Sequence, residues 1–188
     1  MRTWRSPLLD QIWRENGTMR EALLKEVQGL TEVQLGFRPS ADRWSIGEIL
    51  DHLCLAERSI SRAASRLFQQ AAGRGMVGEI GSMEAPAAAI NVADYGRPAS
   101  APESMRPSPE RPLARLLAGL EESRERLLEV SARADGLVVG DVRLEHFQLG
   151  EMNFYQWLTL EGAHESKHLA QVRRIKTEPG FPQTVPSP

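Results

Sequence analysis

Residues 157–176 constrain the fold most. They read Trp-Leu-Thr-Leu-Glu-Gly-Ala-His-Glu-Ser-Lys-His-Leu-Ala-Gln-Val-Arg-Arg-Ile-Lys. Trp157, Glu161, His164, His168, Val172 and Ile175 recur every three or four positions, the period of one face of an α-helix. A buried helical face normally carries Leu or Val. This one carries two imidazoles at its centre. Four residues of helix rise about 6 Å, so both rings reach a single ion, and histidines at i and i+4 are the spacing that helical metal sites use. A lone histidine here would be read as a hydrogen-bonded core residue. For two on one stripe, a shared cation is the simpler compensation for burying them.

Three more stripes precede this one. Ser6-Pro7 reads as an N-cap with proline at the first helical position, followed by Leu8, Ile12, Met19, Leu23, Val27 and Leu30. Asn16-Gly17 is expected to kink or fray that helix. Residues 31–43 read as a connector. Ser45 and Glu48 have capping-box spacing, and Trp44 and Ile49 staple spacing. Ile46, Ile49, Leu50, Leu53, Ile60, Ala64 and Leu67 then carry a helix to about Ala72. Residues 73–108 are rich in Gly, Ala, Pro and Ser and have no period. They read as a long crossing connection, the segment most suited to moving or to covering a site. Pro109 or Pro112 opens a third helix on Leu113, Leu116, Leu117, Leu120, Leu127 and Val130, with the charge run 121–126 as its solvated face. Residues 138–150, including His146, read as a short connection. Asn153 with Gln156, and Met152 with Trp157, start the last helix near Phe154. Residues 177–188 read as an irregular tail.

The pattern implies an all-α four-helix bundle in one domain over residues 1–188. The chain has 188 residues, enough to build a core. Its formal net charge is −2, which gives no basic surface for nucleic acid. No apolar run is long enough to span a bilayer, and residues 1–7 lack a signal peptide's apolar segment. Cys54 is the single cysteine, which suits a reducing compartment. The expectation is a cytoplasmic protein with a small-molecule substrate and neither nucleic-acid nor membrane partners. A homodimer is compatible with all of this.

The residues 164–168 spell His-Glu-Ser-Lys-His, the metalloprotease signature H-E-x-x-H. Its usual completions are missing: Gln171 and Arg174 stand where a metzincin has Gly and His, and Glu165 points about 100° away from His164. The protease reading is therefore set aside. His52, at the margin of another core-facing stripe, is the better third ligand, and His146 the competitor. Glu48 is accounted for as a capping partner. Glu161, one turn before His164 on the buried face, has no such account. It is the candidate catalytic residue: to orient a histidine, to bind the ion, or to act as a base.

Residues 30–35, Arg38-Pro39, residues 44–50 and His52-Leu53, together with residues 146–150, Trp157-Leu158, His164 and residues 168–171, resemble the two signatures of the DinB-like superfamily. The resemblance spans nearly the whole chain. It implies an up-down-down-up four-helix bundle with a long connection between helices 2 and 3. It also implies a histidine triad that falls on His52, His164 and His168, and a divalent ion such as zinc or nickel. Some members join a low-molecular-weight thiol (bacillithiol or mycothiol) to an electrophile, and others are regarded as hydrolases. Lys167 stands where arginine is common and Phe147 where proline is common; neither replaces a ligand. Three neutral imidazoles leave an open coordination position, as catalytic zinc sites do. The implied function is thiol S-transfer, with hydrolysis or a non-catalytic metal- or ligand-binding module as alternatives.

Overall fold

The computed structural model describes residues 3–75, 101–108 and 111–183. In chain order they form α1 (Pro7–Val27), the short α2 (Glu32–Gly36), α3 (Ile46–Gly73), a 3-10 turn (Glu103–Met105), α4 (Leu113–Ala134), the strands β1 (Arg143–His146) and β2 (Gly150–Asn153), and α5 (Phe154–Lys176). The long helices α1, α3, α4 and α5 make a four-helix bundle.

Helix starts follow local chemistry. The Ser6 hydroxyl accepts a hydrogen bond from the Leu9 N–H, with Pro7 at the first helical position. Ser45 with Glu48, and Asn153 with Gln156, close reciprocal capping boxes, each cap contributing about 1 kcal/mol. Asp135 at the end of α4 accepts from the Arg5 and Ser6 N–H groups at 2.7 and 2.9 Å, which fastens the start of α1 to that end of the bundle.

Cross-helix pairs fix the directions. Asn16 donates to the Leu158 carbonyl at 3.0 Å and Arg173 reaches Glu26 at 2.8 Å, so α1 and α5 are parallel. Cys54 lies 3.7 Å from the Leu116 carbonyl and Arg58 2.9 Å from Glu122, so α3 and α4 are parallel. His52 sits at the level of His164 and His168 while Ile60 shares a core with Trp157 and Leu158, so α3 and α5 are antiparallel. The order is up-down-down-up.

Two apolar clusters fill the bundle. One joins Leu9, Ile12, Ile60, Leu67, Leu127 and Leu158. The other joins Leu23, Ile49, Leu53, Leu120, Val172 and Ile175. Between them, at the level of Arg20, Glu57, Arg124 and Glu165, the interior is ionic.

Four expectations are corrected. Asn16-Gly17 does not interrupt α1: Asn16 is buried where α1 crosses α5, and a Cβ on Gly162 would lie 2.3 Å from its Oδ1, so glycine permits the close approach. Residues 31–43 contain α2, whose Thr31 and Gln34 form another capping box, in a helix too short to show a period. Residues 138–150 are not plain connection: β1 pairs with β2 antiparallel, His146 opposite Gly150 and Arg143 opposite Asn153. The run 121–126 is not wholly solvated, because Arg124 turns inward. Of the long crossing connection, residues 76–100 lie outside the described residues.

Candidate metal centre

The three histidines arrive from two helices. The capped start of α3 puts His52 in its second turn, and α5 carries His164 and His168 one turn apart. All three rings are buried. His164 Nε2 lies 3.1 Å from His52 Nε2 and 3.0 Å from His168 Nε2. The three histidines can each offer one ligand atom within a common 4.8 Å.

Proton counting decides what such a cluster can hold. His52 Nδ1 faces the Met105 carbonyl at 2.8 Å. A carbonyl only accepts, so Nδ1 carries the hydrogen and Nε2 presents a lone pair. His168 Nδ1 faces the Gln171 amide oxygen at 3.0 Å, which leaves its Nε2 a lone pair as well. Both lone pairs point at His164 Nε2, and one hydrogen there satisfies one contact well and not both. A cation shared by the three nitrogens removes the conflict. Donors of a tetrahedral zinc shell stand about 3.4 Å apart, close to the spacing seen here. The residues present fit a divalent ion with three nitrogen ligands. Met105 and Gln171 hold the outer ring nitrogens in the manner that orients metal-binding imidazoles.

The surroundings keep the rings neutral. Burial, and then the neighbouring His168 and His52, push the His164 pKa well below its ordinary value. Burial pushes His168 down to about 3. His52 is lowered by burial, with the Met105 carbonyl acting in the opposite sense. The Trp44 ring lies 4.7 Å from His52 and 6.3 Å from His168, covering one side of the cluster. Asp51 is buried beside His52 and accepts from the Ser108 N–H at 2.7 Å. Residues 101–108 are thus pinned over the site at Met105 and Ser108, and that part of the crossing connection does cover it.

His146 takes another place. Its Nδ1 accepts from the N–H groups of Gln148 and Leu149, both at 3.2 Å, so the ring closes the β1–β2 turn. The same ring meets Trp157 edge-on at 5.1 Å and borders a cavity of about 330 Å³ that His164 also lines. With Nδ1 an acceptor, neutral His146 carries its proton on Nε2, and burial lowers its pKa.

Glu161 belongs to the ionic layer. Arg124 Nη2 reaches Glu161 at 2.7 Å and Glu165 at 3.0 Å, and Arg124 Nε lies 2.7 Å from Glu57. Arg20 pairs with Glu57 at 3.0 Å and also with Glu165. Two guanidiniums face three carboxylates, and Glu161 Oε2 has no hydrogen-bond partner among the described residues. Burial and the Glu165 charge, against Arg124, raise the Glu161 pKa well above the usual carboxylate range. These partners were not legible in sequence. Arg20 precedes its partner Glu165 by 145 residues, and Arg124 sits inside a run that looks solvated.

The model of the DinB superfamily matches residues 17–172. The chain belongs to the DinB superfamily. Among curated proteins it is similar to the uncharacterized protein YuaE of Bacillus subtilis (strain 168), 28% identical over 159 residues that cover 80% of this chain and 88% of that protein. Among solved structures it is similar to the crystal structure of TT2238, a four-helix bundle protein, with a TM-score of 0.61 and 21% identity over 88% of this chain and 98% of the other. That likeness concerns the fold alone. No helix among the described residues is long and apolar enough to cross a membrane.

Proposed function

We propose that this DinB superfamily protein is a metal-dependent enzyme that joins a low-molecular-weight thiol to a small electrophile. His52, His164 and His168 hold the ion, zinc or nickel. The observation that carries the reading is the convergence of three Nε2 atoms whose outer nitrogens face Met105 and Gln171. His52, His164 and His168 would hold the ion, which would supply the positive charge that keeps a thiol deprotonated at neutral pH. Neutral, buried imidazoles supply lone pairs without competing protons. The cavity beside His164 would receive the second reactant, with Ala56, Ile60, Ala63 and Leu160 as its apolar wall.

Cys54 supplies no nucleophile of its own, because burial pushes its thiol up to about 12. The ion pairs give Glu161 a structural role; a catalytic one would appear as lost turnover in Glu161→Gln with metal content intact. Hydrolysis at the same site is the second reading, compatible with the same donor set, since an ion held by the three histidines would also make water there more acidic.

The test is a spectral titration of the cobalt- or nickel-loaded protein with cysteine, glutathione, bacillithiol and mycothiol, followed by turnover with a chlorinated aromatic electrophile. A thiolate-to-metal band and thiol-dependent turnover support transfer. Loss of a test ester without thiol supports hydrolysis instead. Neither response, with tight ligand binding, leaves a binding module.

A further inference from the structure

The cavity beside His164 is lined by residues of α3, α5 and the hairpin, with Met105 of the 3-10 turn. Its near end is His164. Ala56, Ile60 and Ala63 on α3 and Leu160 on α5 form its apolar wall, and Arg62 and Arg66 border it on α3. From Ala56 to Arg66 the helix rises about 15 Å, so the space suits an elongated molecule rather than a round one. At about 330 Å³ it is at the small end of ligand-sized cavities.

The charges along it are uneven. Arg62 and Arg66 are exposed, one turn apart, and neither has an ion-pair partner among the described residues, whereas Arg58, one turn earlier, pairs with Glu122. Glu145 is the only acidic side chain among the lining residues. The rim therefore keeps a positive excess. Two adjacent guanidiniums offer the forked donors that match a carboxylate or similar oxyanion. The indole N–H of Trp157, another lining residue, also has no partner among the described residues.

We propose that this cavity binds a small, elongated molecule with an apolar body and an anionic group, the anion held by Arg62 and Arg66 and the body reaching toward His164. The inference rests on the metal-site reading for the identity of the reacting end, and on the cavity alone for the binding.

The experiment compares 4-phenylbutyrate with 4-phenylbutan-1-ol, which share a body and differ in charge. Binding is followed by calorimetry on the protein as purified and after chelation. Wild type should prefer the anion by about tenfold, with the preference weakened by salt and unchanged by chelation. Arg62→Gln/Arg66→Gln should bring the two probes level without weakening the alcohol. Ser59→Trp, which fills the cavity, should reduce both. Equal binding in wild type, no binding of either probe, a preference that survives the double arginine change, or one lost on chelation would each overturn the proposal. If the histidines held no metal while the arginine-dependent preference persisted, the enzymatic reading alone would fall.

Discussion

Arg124 Nη2 lies 2.7 Å from Glu161 Oε1, which ties the carboxylate one turn before His164 to a different helix. Glu165, also bound by Arg124 and Arg20, completes a layer in which three carboxylates share two guanidiniums. The two apolar clusters meet at this layer, so removing one partner leaves uncompensated charge deep in the bundle. Arg20→Met should destabilise the protein by about 3–5 kcal/mol in denaturant unfolding. Glu161→Gln should cost less than about 1 kcal/mol, because the amide oxygen still accepts from Arg124 while the third negative charge of the layer is removed. The reverse order of effects would show that the layer is not held by this pairing.

The histidine pKa shifts give the metal-free protein a direction with pH. Unfolded imidazoles bind protons below about pH 6.5. The buried ones resist this, His168 down to about 3. The unfolded state therefore binds more protons in that window, and stability present above pH 6.5 is lost as pH falls. At pH 5.5 each imidazole kept neutral contributes a loss of about 1.4 kcal/mol. Glu161 and Glu165, whose pKa values are raised, act in the opposite sense. The comparison is therefore wild type against His164→Asn/His168→Asn, each chelated and unfolded with urea at pH 7.5 and 5.5. Wild type should lose more stability between the two pH values; equal losses would contradict the neutral-cluster description.

Gly162 allows the α1–α5 crossing. A Cβ there would displace the Asn16 side chain and break its hydrogen bond to the Leu158 carbonyl. Gly162→Ala should lower stability by about 1–3 kcal/mol. In Asn16→Ala/Gly162→Ala the loss should be smaller than the sum of the single changes. Full additivity would mean that the two residues do not compete for space.

Gln171 reaches His168 Nδ1 at 3.0 Å from the solvent side of α5. Gln171→Ala should leave the fold intact and weaken metal affinity about 10- to 100-fold, as loss of an orienting partner does. Competition against a chromophoric chelator measures it. Unchanged affinity would mean that packing against Trp44 alone orients the ring.

The triad was legible because helical period fixes which side chains share a face, and His52, His164 and His168 each lie on or beside a core stripe. The capping boxes at Ser45 and Asn153 then set where those faces begin. Other parts had no local signal. Met105 meets His52 through a backbone carbonyl, which no residue type announces, on a segment without period. The hairpin strands span four residues each, too few for alternation to stand out. His146 read as the competing third ligand on a connection, and its position rests on backbone N–H groups of a turn that sequence did not display. Arg20 and Arg124 were hidden because an inward-turned arginine and a solvated one look alike until the carboxylates across the bundle are placed.

The central claim is that His52, His164 and His168 together hold one divalent ion through nitrogen. Metal content of freshly purified wild type, His52→Ala, His164→Ala, His168→Ala and His146→Ala tests it most directly, with folding checked by circular dichroism. The account predicts close to one ion per chain in wild type and His146→Ala, and loss of the ion from each of the other three. Loss in His146→Ala with retention in His52→Ala would place the third ligand on the hairpin, and metal retained in all four variants would contradict the site itself.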